Sequence, residues 1–184
     1  MRTLVTIVAA LCCISTSALA QGGKPRTVFI FPGPHTADST AIVIPAGSHM
    51  RVASLPRNYD VEVAFRGRFT LSGLYKVEGY GKDTALTFWP DRKTRNMLPH
   101  WRGRDVPEDM DISAAWAFAR AVVPKDKLQR LKSGKLKSVT GRVTIVADDY
   151  QTSIECDTVS ASARFVSVVN SVQIAANPTS FEEC

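Results

Sequence analysis

The sequence predicts a mainly β fold with a short helical insertion, which is an α+β class. Apolar residues recur at every second position through 61–89 and again from 139 onward, which is the period of half-buried strands. A helical period occurs only between 113 and 134. Because the helices follow three predicted strands at 61–89, where the bent strand counts as two, and precede two or three more from 139 onward, a small OB-like barrel is the favoured architecture. A β-sandwich or a helix-covered meander is the alternative.

The first half of the chain carries the predicted early strands. Apolar runs at 27–31 and 41–44 are each followed by a segment of Pro and Gly, which ends a strand. From 61 to 77 the alternation continues on both sides of Gly67, and a glycine inside such a pattern often marks a kink. We therefore predict one long, bent or bulged strand there, and a further strand at 85–89.

Two short helices form the predicted insertion. Residues 113–123 place apolar side chains at helical spacing, and Asp111 or Ser113 is available to cap the first turn. Pro124 is predicted to open a second helix, because proline is favoured in a first helical turn. That helix is predicted to bury Leu128 and Leu131 and to end at 133–134, where a glycine follows a serine.

Strands return after the helices. The alternation at 139–145 predicts one strand, and the pair Asp148-Asp149 predicts a turn into another at 150–156. A last pair of strands is predicted at 161–169 and 172–175. The region after the helices is therefore expected to complete the barrel and to add a hairpin to it.

The first 20 residues have the three parts of a secretory signal peptide. Arg2 supplies the positive start, residues 4–14 form an apolar run, and Ala18-Leu19-Ala20 is a small-residue cleavage site. The apolar run is shorter than the roughly 20 residues that cross a bilayer. We expect a signal peptide at 1–20, a single β-rich globular domain at 21–184, and a periplasmic or secreted protein with no transmembrane span after cleavage.

Composition and charge narrow the class of partner. Hydrophobic residues make up 45% of the chain and charged residues 22%, which excludes collagen, low-complexity disorder and a polytopic membrane protein. Lys and Arg number 23 against 17 Asp and Glu, a net charge of +6. This excess favours an anionic partner, and for an exported protein that partner is an acidic protein, a glycan or a lipid head group rather than nucleic acid.

The segment 91–104 is the candidate binding loop. It is long for a compact domain and combines cations with a histidine and a tryptophan. Arginine donates hydrogen bonds in pairs to phosphate or carboxylate, and an aromatic ring beside it offers a stacking surface. The alternative is a solvated basic loop from which Trp101 and Leu98 fold back into the core. The candidate ligand-binding residues are Arg92, Lys93, Arg95, His100, Trp101, Arg102 and Arg104.

A second group of cations follows the first along the chain. Lysines near a helix end are favoured by the helix dipole, and lysines on a strand edge discourage aggregation, so structural roles explain part of the group. The alternative is that both groups form one face that attracts anions. The second group comprises Arg120, Lys125, Lys127, Arg130, Lys132, Lys135, Lys137 and Arg142.

Two cysteines remain after the predicted signal peptide. Cys156 and Cys184 are an even pair in an exported chain, which predicts one disulfide. Closing that loop is expected to contribute about 3 to 4 kcal/mol in the chain-entropy model. Pairing between molecules through Cys184 is the alternative.

The sequence contains no nucleophile elbow, zinc-protease motif or phosphate-binding loop. No catalytic residue, metal site or cofactor is predicted, and an enzyme is the less favoured class. The leading hypothesis is an exported binding module that engages an anionic partner, acting as an inhibitor or immunity-type protein. The alternatives are an envelope hydrolase that uses His100, and a structural component of an envelope assembly.

Overall fold

The computed structural model describes residues 24–29, 41–55, 62–155 and 158–178, and this part of the chain is mainly β with a few short helices. The predicted α+β class is therefore confirmed. The strands are β1 (Arg26–Phe29), β2 (Ala41–Ile44), β3 (Arg51–Ser54), β4 (Glu62–Arg66), β5 (Phe69–Glu78), β6 (Ala85–Pro90), β7 (His100–Trp101), β8 (Met110–Ser113), β9 (Leu136–Glu155) and β10 (Thr158–Pro178). The helices are α1 (Arg92–Arg95), α2 (Ala115–Val122) and α3 (Lys125–Lys132), and a single 3₁₀ turn covers Gly81–Asp83.

Five of these strands close a barrel-like ring through hydrogen bonds. The order around the ring is β5, β6, β8, β10 and β9, and β9 pairs again with β5. Neighbouring strands are antiparallel except β8 and β10, which are parallel. Helices α2 and α3 lie between the third and fourth ring strands along the chain, as the OB-like order requires.

The third strand of the ring differs from the predicted one. It is β8, a segment for which the sequence pattern predicts no strand, whereas β4, the first part of the predicted bent strand at 61–77, lies outside the ring. β8 has only four residues, of which Met110 and Ile112 are buried while the other two are exposed. So short an alternation is too weak to predict a strand, and pairing with β6 and β10 creates it.

The predicted kink at Gly67 is confirmed. β4 and β5 lie one after the other along the same partner, β9, and they are separated at Gly67, whose φ is +123°. A Cβ atom at this glycine would lie 3.4 Å from the carbonyl oxygen of His49. Glycine therefore allows both the bend and the close approach of the neighbouring chain.

The predicted turn at Asp148-Asp149 is wrong. β9 continues through both residues, and β10 is likewise one strand rather than two. Asp149 has a φ of +50°, and the pairing with β10 shifts register near Arg164, so the aspartates lie at a bulge. Arg164 Nε lies 2.9 Å from a carboxylate oxygen of each aspartate, so the arginine balances part of the negative charge of the two aspartates.

The predicted cap of the first helix is also wrong. The N-cap residue of α2 is Ala114, with a φ of +63° and no side-chain hydrogen bond. Ser113 belongs to β8, and its hydroxyl donates to the carbonyl of Ala163 at 3.4 Å. The second helix is as predicted, because it follows Pro124, buries Leu128 and Leu131, and precedes Gly134 at a φ of +70°.

The core extends from the ring strands to β2, β4 and β7, and α2 packs against the ring. Phe118 of α2 makes edge-to-face contacts with Tyr75 of β5, at 5.3 Å between ring centroids, and with Phe165 of β10, at 5.4 Å. Among the described residues, no helix is both long and apolar enough to span a membrane. Residues 1–20, Cys156 and Cys184 lie outside the described part of the chain, so the signal peptide and the disulfide stay predictions.

Candidate anion-binding cleft

The predicted loop at 91–104 contains regular structure at both ends. β6 ends at Pro90, and the backbone N–H of Asp91 still donates to the carbonyl of Ser72 at 2.8 Å. The short helix α1 follows directly, and no side chain caps it. The Asp91 carboxylate is held by Arg142, whose Nη1 lies 2.7 and 2.8 Å from the two carboxylate oxygens. This ion pair joins the start of the segment to β9.

The middle of the segment is anchored to the core by buried residues. Leu98 and Pro99 are buried, and the hydroxyl of Tyr150 donates to the carbonyl of Pro99 at 2.9 Å. Burial raises the pKa of Tyr150, so the hydroxyl keeps its proton and remains a donor. The hydroxyl of Tyr150 on β9 therefore provides a hydrogen-bond partner for the carbonyl of Pro99, a residue outside the strands.

Trp101 lies in the core. The two-residue strand β7 pairs with β2, so that Trp101 lies opposite Ile42, and the backbone N–H of Arg102 donates to Ala41 at 2.8 Å. The exposed fraction of Trp101 is 0%, so its ring offers no stacking surface to a ligand. The alternative in which Trp101 and Leu98 fold back into the core is therefore confirmed.

Four of the predicted residues line one open cleft of about 310 Å³. They come from two places in the segment, since Arg92 and Arg95 lie on α1 while His100 and Arg104 lie on β7 and the turn after it. That turn is closed by a hydrogen bond from the Arg104 N–H to the Trp101 carbonyl at 3.0 Å. The remaining lining residues are Asn96, Asp105 and Val106.

Two predicted cations do not line this cleft. Lys93 and Arg102 are exposed, and neither contributes to its walls. On a one-turn helix the residues three and four positions after Arg92 share its face, which places Arg95 and Asn96 beside it and directs Lys93 elsewhere. The spacing of Asn96 from Arg92 is the signal that would have identified Asn96 from the sequence.

His100 presents one defined ring nitrogen. Its Nδ1 lies 3.1 Å from the carbonyl oxygen of Leu98. Because a carbonyl only accepts, Nδ1 carries a proton and donates it, which leaves Nε2 as the other hydrogen-bonding atom. In the neutral ring with its proton on Nδ1, Nε2 accepts a hydrogen bond.

The cleft combines three arginine side chains and His100 with one carboxylate, Asp105. The arginine side chains are donors to anions, and the amide of Asn96 adds both a donor and an acceptor. The arrangement can hold a phosphate or carboxylate group. Its volume lies at the lower end of ligand pockets, which begin at roughly 300 Å³.

Part of the second basic group has a structural role. Lys132 lies over the ring of Tyr80, with Nζ 5.6 Å from the centroid, and Arg142 pairs with Asp91 as described. Tyr80 in turn packs edge-to-face on Trp116 of α2. These two cations therefore join the helices and β9 to neighbouring segments.

Among the described residues, no three or more His, Cys, Asp or Glu side chains lie together in a way that would hold a metal ion. Comparison of the chain with protein-family models, with characterised proteins and with solved structures finds no match.

Proposed function

We propose that this protein is an exported binding module whose cationic cleft takes a phosphate or carboxylate group of a partner in the cell envelope or outside the cell. The observation that carries the proposal is the convergence of Arg92, Arg95, His100 and Arg104 on one cleft. These residues are spread over 13 positions of the sequence, and folding brings them onto the same cavity.

The anchoring of the segment supports a preformed site. Arg92 and Arg95 follow a residue tied to β9 by an ion pair, and His100 lies between the buried residues Pro99 and Trp101. When the backbone that supports a site is fixed before binding, less conformational entropy is lost when a ligand binds. The cleft is thus suited to recognition of a compact anionic group.

The compartment and the kind of partner follow from the sequence. Residues 1–20 have the pattern of a signal peptide, and cleavage removes Arg2 and leaves 22 Lys and Arg against 17 Asp and Glu. The remaining net charge of +5 attracts acidic proteins, anionic glycans and lipid head groups. An inhibitor or immunity-type role is one form of this function, in which the anionic group belongs to a partner protein. The Cys156–Cys184 disulfide is part of the same proposal.

The proposal is tested by titrating the protein with inorganic phosphate and following His100 by nuclear magnetic resonance. Arg95→Gln removes a cation from the cleft, and we expect phosphate to bind about tenfold more weakly, since a hydrogen bond to a charged group contributes roughly 1.5 to 3 kcal/mol. Lys93→Gln makes the same change of charge on the same helix outside the cleft, and we expect less than about twofold weakening from this exposed cation.

An equal loss in both variants would show that phosphate responds to net charge alone and would refute the cleft as the site. Retention of the wild-type affinity in Arg95→Gln would refute it as well. Binding in wild type and Lys93→Gln should also weaken as salt is added, because exposed cations are screened over about 8 Å at physiological ionic strength.

The geometry of His100 supports an envelope hydrolase as the second candidate. With Nδ1 held by a backbone carbonyl, Nε2 points to a role as a general base, the arrangement that fixes a histidine tautomer in many enzymes. Its test is hydrolysis of phosphate monoesters and carboxylic esters by wild type and His100→Ala. Equal rates in the two proteins would remove this candidate and leave the binding proposal intact.

A further inference from the structure

A second cleft lies against the opposite side of the segment that bears the arginines. Arg92, Arg95 and Asn96 line the cationic cleft, whereas Thr94, Met97 and Leu98 line the second one. Within each set, the residues are spaced so that they lie on one face of a helix. The second set begins two residues after the first, which is roughly half of a 3.6-residue helical turn, so the two sets lie on opposite sides of the segment. Residues 92–98 therefore separate a cationic cavity from a different one.

The second cleft has a volume of about 300 Å³ and apolar walls. Three segments form it: the turn at 47–50, the start of β5 at 68–70, and the end of α1 with the residues after it. Met50 and Leu98 are buried, while Phe69 is half-buried and contacts the ring of Tyr150 at 5.9 Å. The floor of the cleft is thus continuous with the hydrophobic core.

The charge in the lining of this cleft comes from Arg68. Arg68 is exposed, and none of the lining residues is acidic. An apolar cavity with a cation at its edge complements a molecule that has a hydrocarbon part and an anionic end. Arginine matches a carboxylate in particular, because its guanidinium donates two parallel hydrogen bonds to the two oxygens.

Met97 forms an exposed side of the cleft. The residue is 43% exposed, which is high for a large apolar residue that lies beside the core. A Cβ atom at Gly47, whose φ is +80°, would lie 3.4 Å from the Met97 methyl carbon, so the methionine lies across from the turn. Methionine has flexible torsions, which suits it to contact with irregular apolar ligands.

We infer that this cleft binds a single-chain carboxylate amphiphile of the fatty-acid type, with its hydrocarbon chain on Phe69 and Met97 and its carboxylate on Arg68. This site is distinct from the cationic cleft and does not rest on the function proposed for it. The two sites share only the segment 92–98, on whose opposite sides they lie.

The inference is tested by calorimetric titration with hexanoate, octanoate and decanoate, each below its micelle concentration. Burying one methylene tightens binding by up to about fourfold, so affinity should rise with chain length until the cleft is full. Butyrate serves as the control for the carboxylate alone, and octanol serves as the control for the chain alone.

Two variants on the same turn make a matched pair. Met97→Glu places a negative charge in the apolar cleft, and we expect the rise of affinity with chain length to disappear. Arg95→Gln changes the opposite side of the segment, in the cationic cleft, and we expect the rise of affinity with chain length to be retained. Both side chains reach solvent, and thermal unfolding of each variant checks that the fold is kept.

Arg68→Gln separates the two parts of the ligand. We expect decanoate to bind up to about fivefold more weakly, the usual contribution of an exposed ion pair, with octanol unchanged. Equal affinities across the chain-length series, or a rise that survives in Met97→Glu, would overturn the inference. Loss of the rise in Arg95→Gln would place the chain in the cationic cleft and would overturn it too.

Discussion

Tyr150→Phe measures how firmly the candidate site is anchored to β9. Tyr150 is 0% exposed, and its hydroxyl donates to the carbonyl of Pro99 at 2.9 Å. Phenylalanine retains the ring that packs on Phe65 and Phe69, with centroids 5.7 and 5.9 Å away, so the change removes the hydroxyl and little else. The substitution therefore removes the hydrogen bond between β9 and the segment that carries the cleft, together with the interaction of the hydroxyl with Thr152.

The expected cost follows from what the substitution leaves behind. The Pro99 carbonyl lies on a buried residue, and a buried polar group that loses its partner costs about 1 to 3 kcal/mol of folding free energy. For a chain of this size, that loss corresponds to a fall of roughly 2 to 12 °C in the Tm. Phosphate binding at the cationic cleft should also weaken, because His100 follows Pro99 directly.

The assay is urea unfolding of wild type and variant, in which the midpoint should fall while the slope with denaturant stays the same. Tyr75→Phe is the matched control, since Tyr75 is 1% exposed and its hydroxyl has no hydrogen-bond partner among the described residues. Removing that hydroxyl should leave stability unchanged or raise it. A loss below about 0.5 kcal/mol for Tyr150→Phe, or an equal loss in both variants, would refute the reasoning.

Three further predictions concern residues of the barrel-like ring. Burial raises the pKa of both Tyr75 and Tyr150 in the folded protein. Above about pH 10 the unfolded chain therefore loses tyrosine protons that the folded chain keeps. The free energy of unfolding should then fall by up to about 1.4 kcal/mol per pH unit for each tyrosine. Urea unfolding as a function of pH checks this, and each Phe variant should lose its own share of the slope. Gly141→Ala places a Cβ atom 2.6 to 2.7 Å from the Tyr75 hydroxyl and ring, and thermal unfolding should show a loss of about 1 to 3 kcal/mol. Arg142→Gln breaks the exposed pair with Asp91 and should cost only about 0.2 to 1 kcal/mol, less at high salt, as urea unfolding at two ionic strengths would show.

Long alternating patterns predicted their strands well. β5 and the 139–145 part of β9 bury every second residue, so the two-residue period is repeated often enough to stand out. The kink at Gly67 and the second helix after Pro124 were also predicted, because glycine and proline restrict the backbone locally. These features depend on residues close together in the chain.

The missed elements depend on partners far away in the chain. β3 has no buried residue, and β8 has only two, so their strand conformation is set by pairing with β4 and with β6 and β10. The same holds for Asp148-Asp149, where the turn preference of aspartate gives way to the ladder between β9 and β10. Hydrogen bonds across a sheet outweigh such local preferences.

The candidate site divides in the same way. By itself the sequence determined that cations, His100 and Trp101 occur together in one segment, and it left open whether Trp101 faces solvent or the core. Only the tertiary structure decided this, since β2 pairs with Trp101 from about 60 residues away and buries it, while one turn of helix selects Arg92 and Arg95 over Lys93. Composition and period are local properties of a chain, whereas a cleft exists only where distant segments pack together.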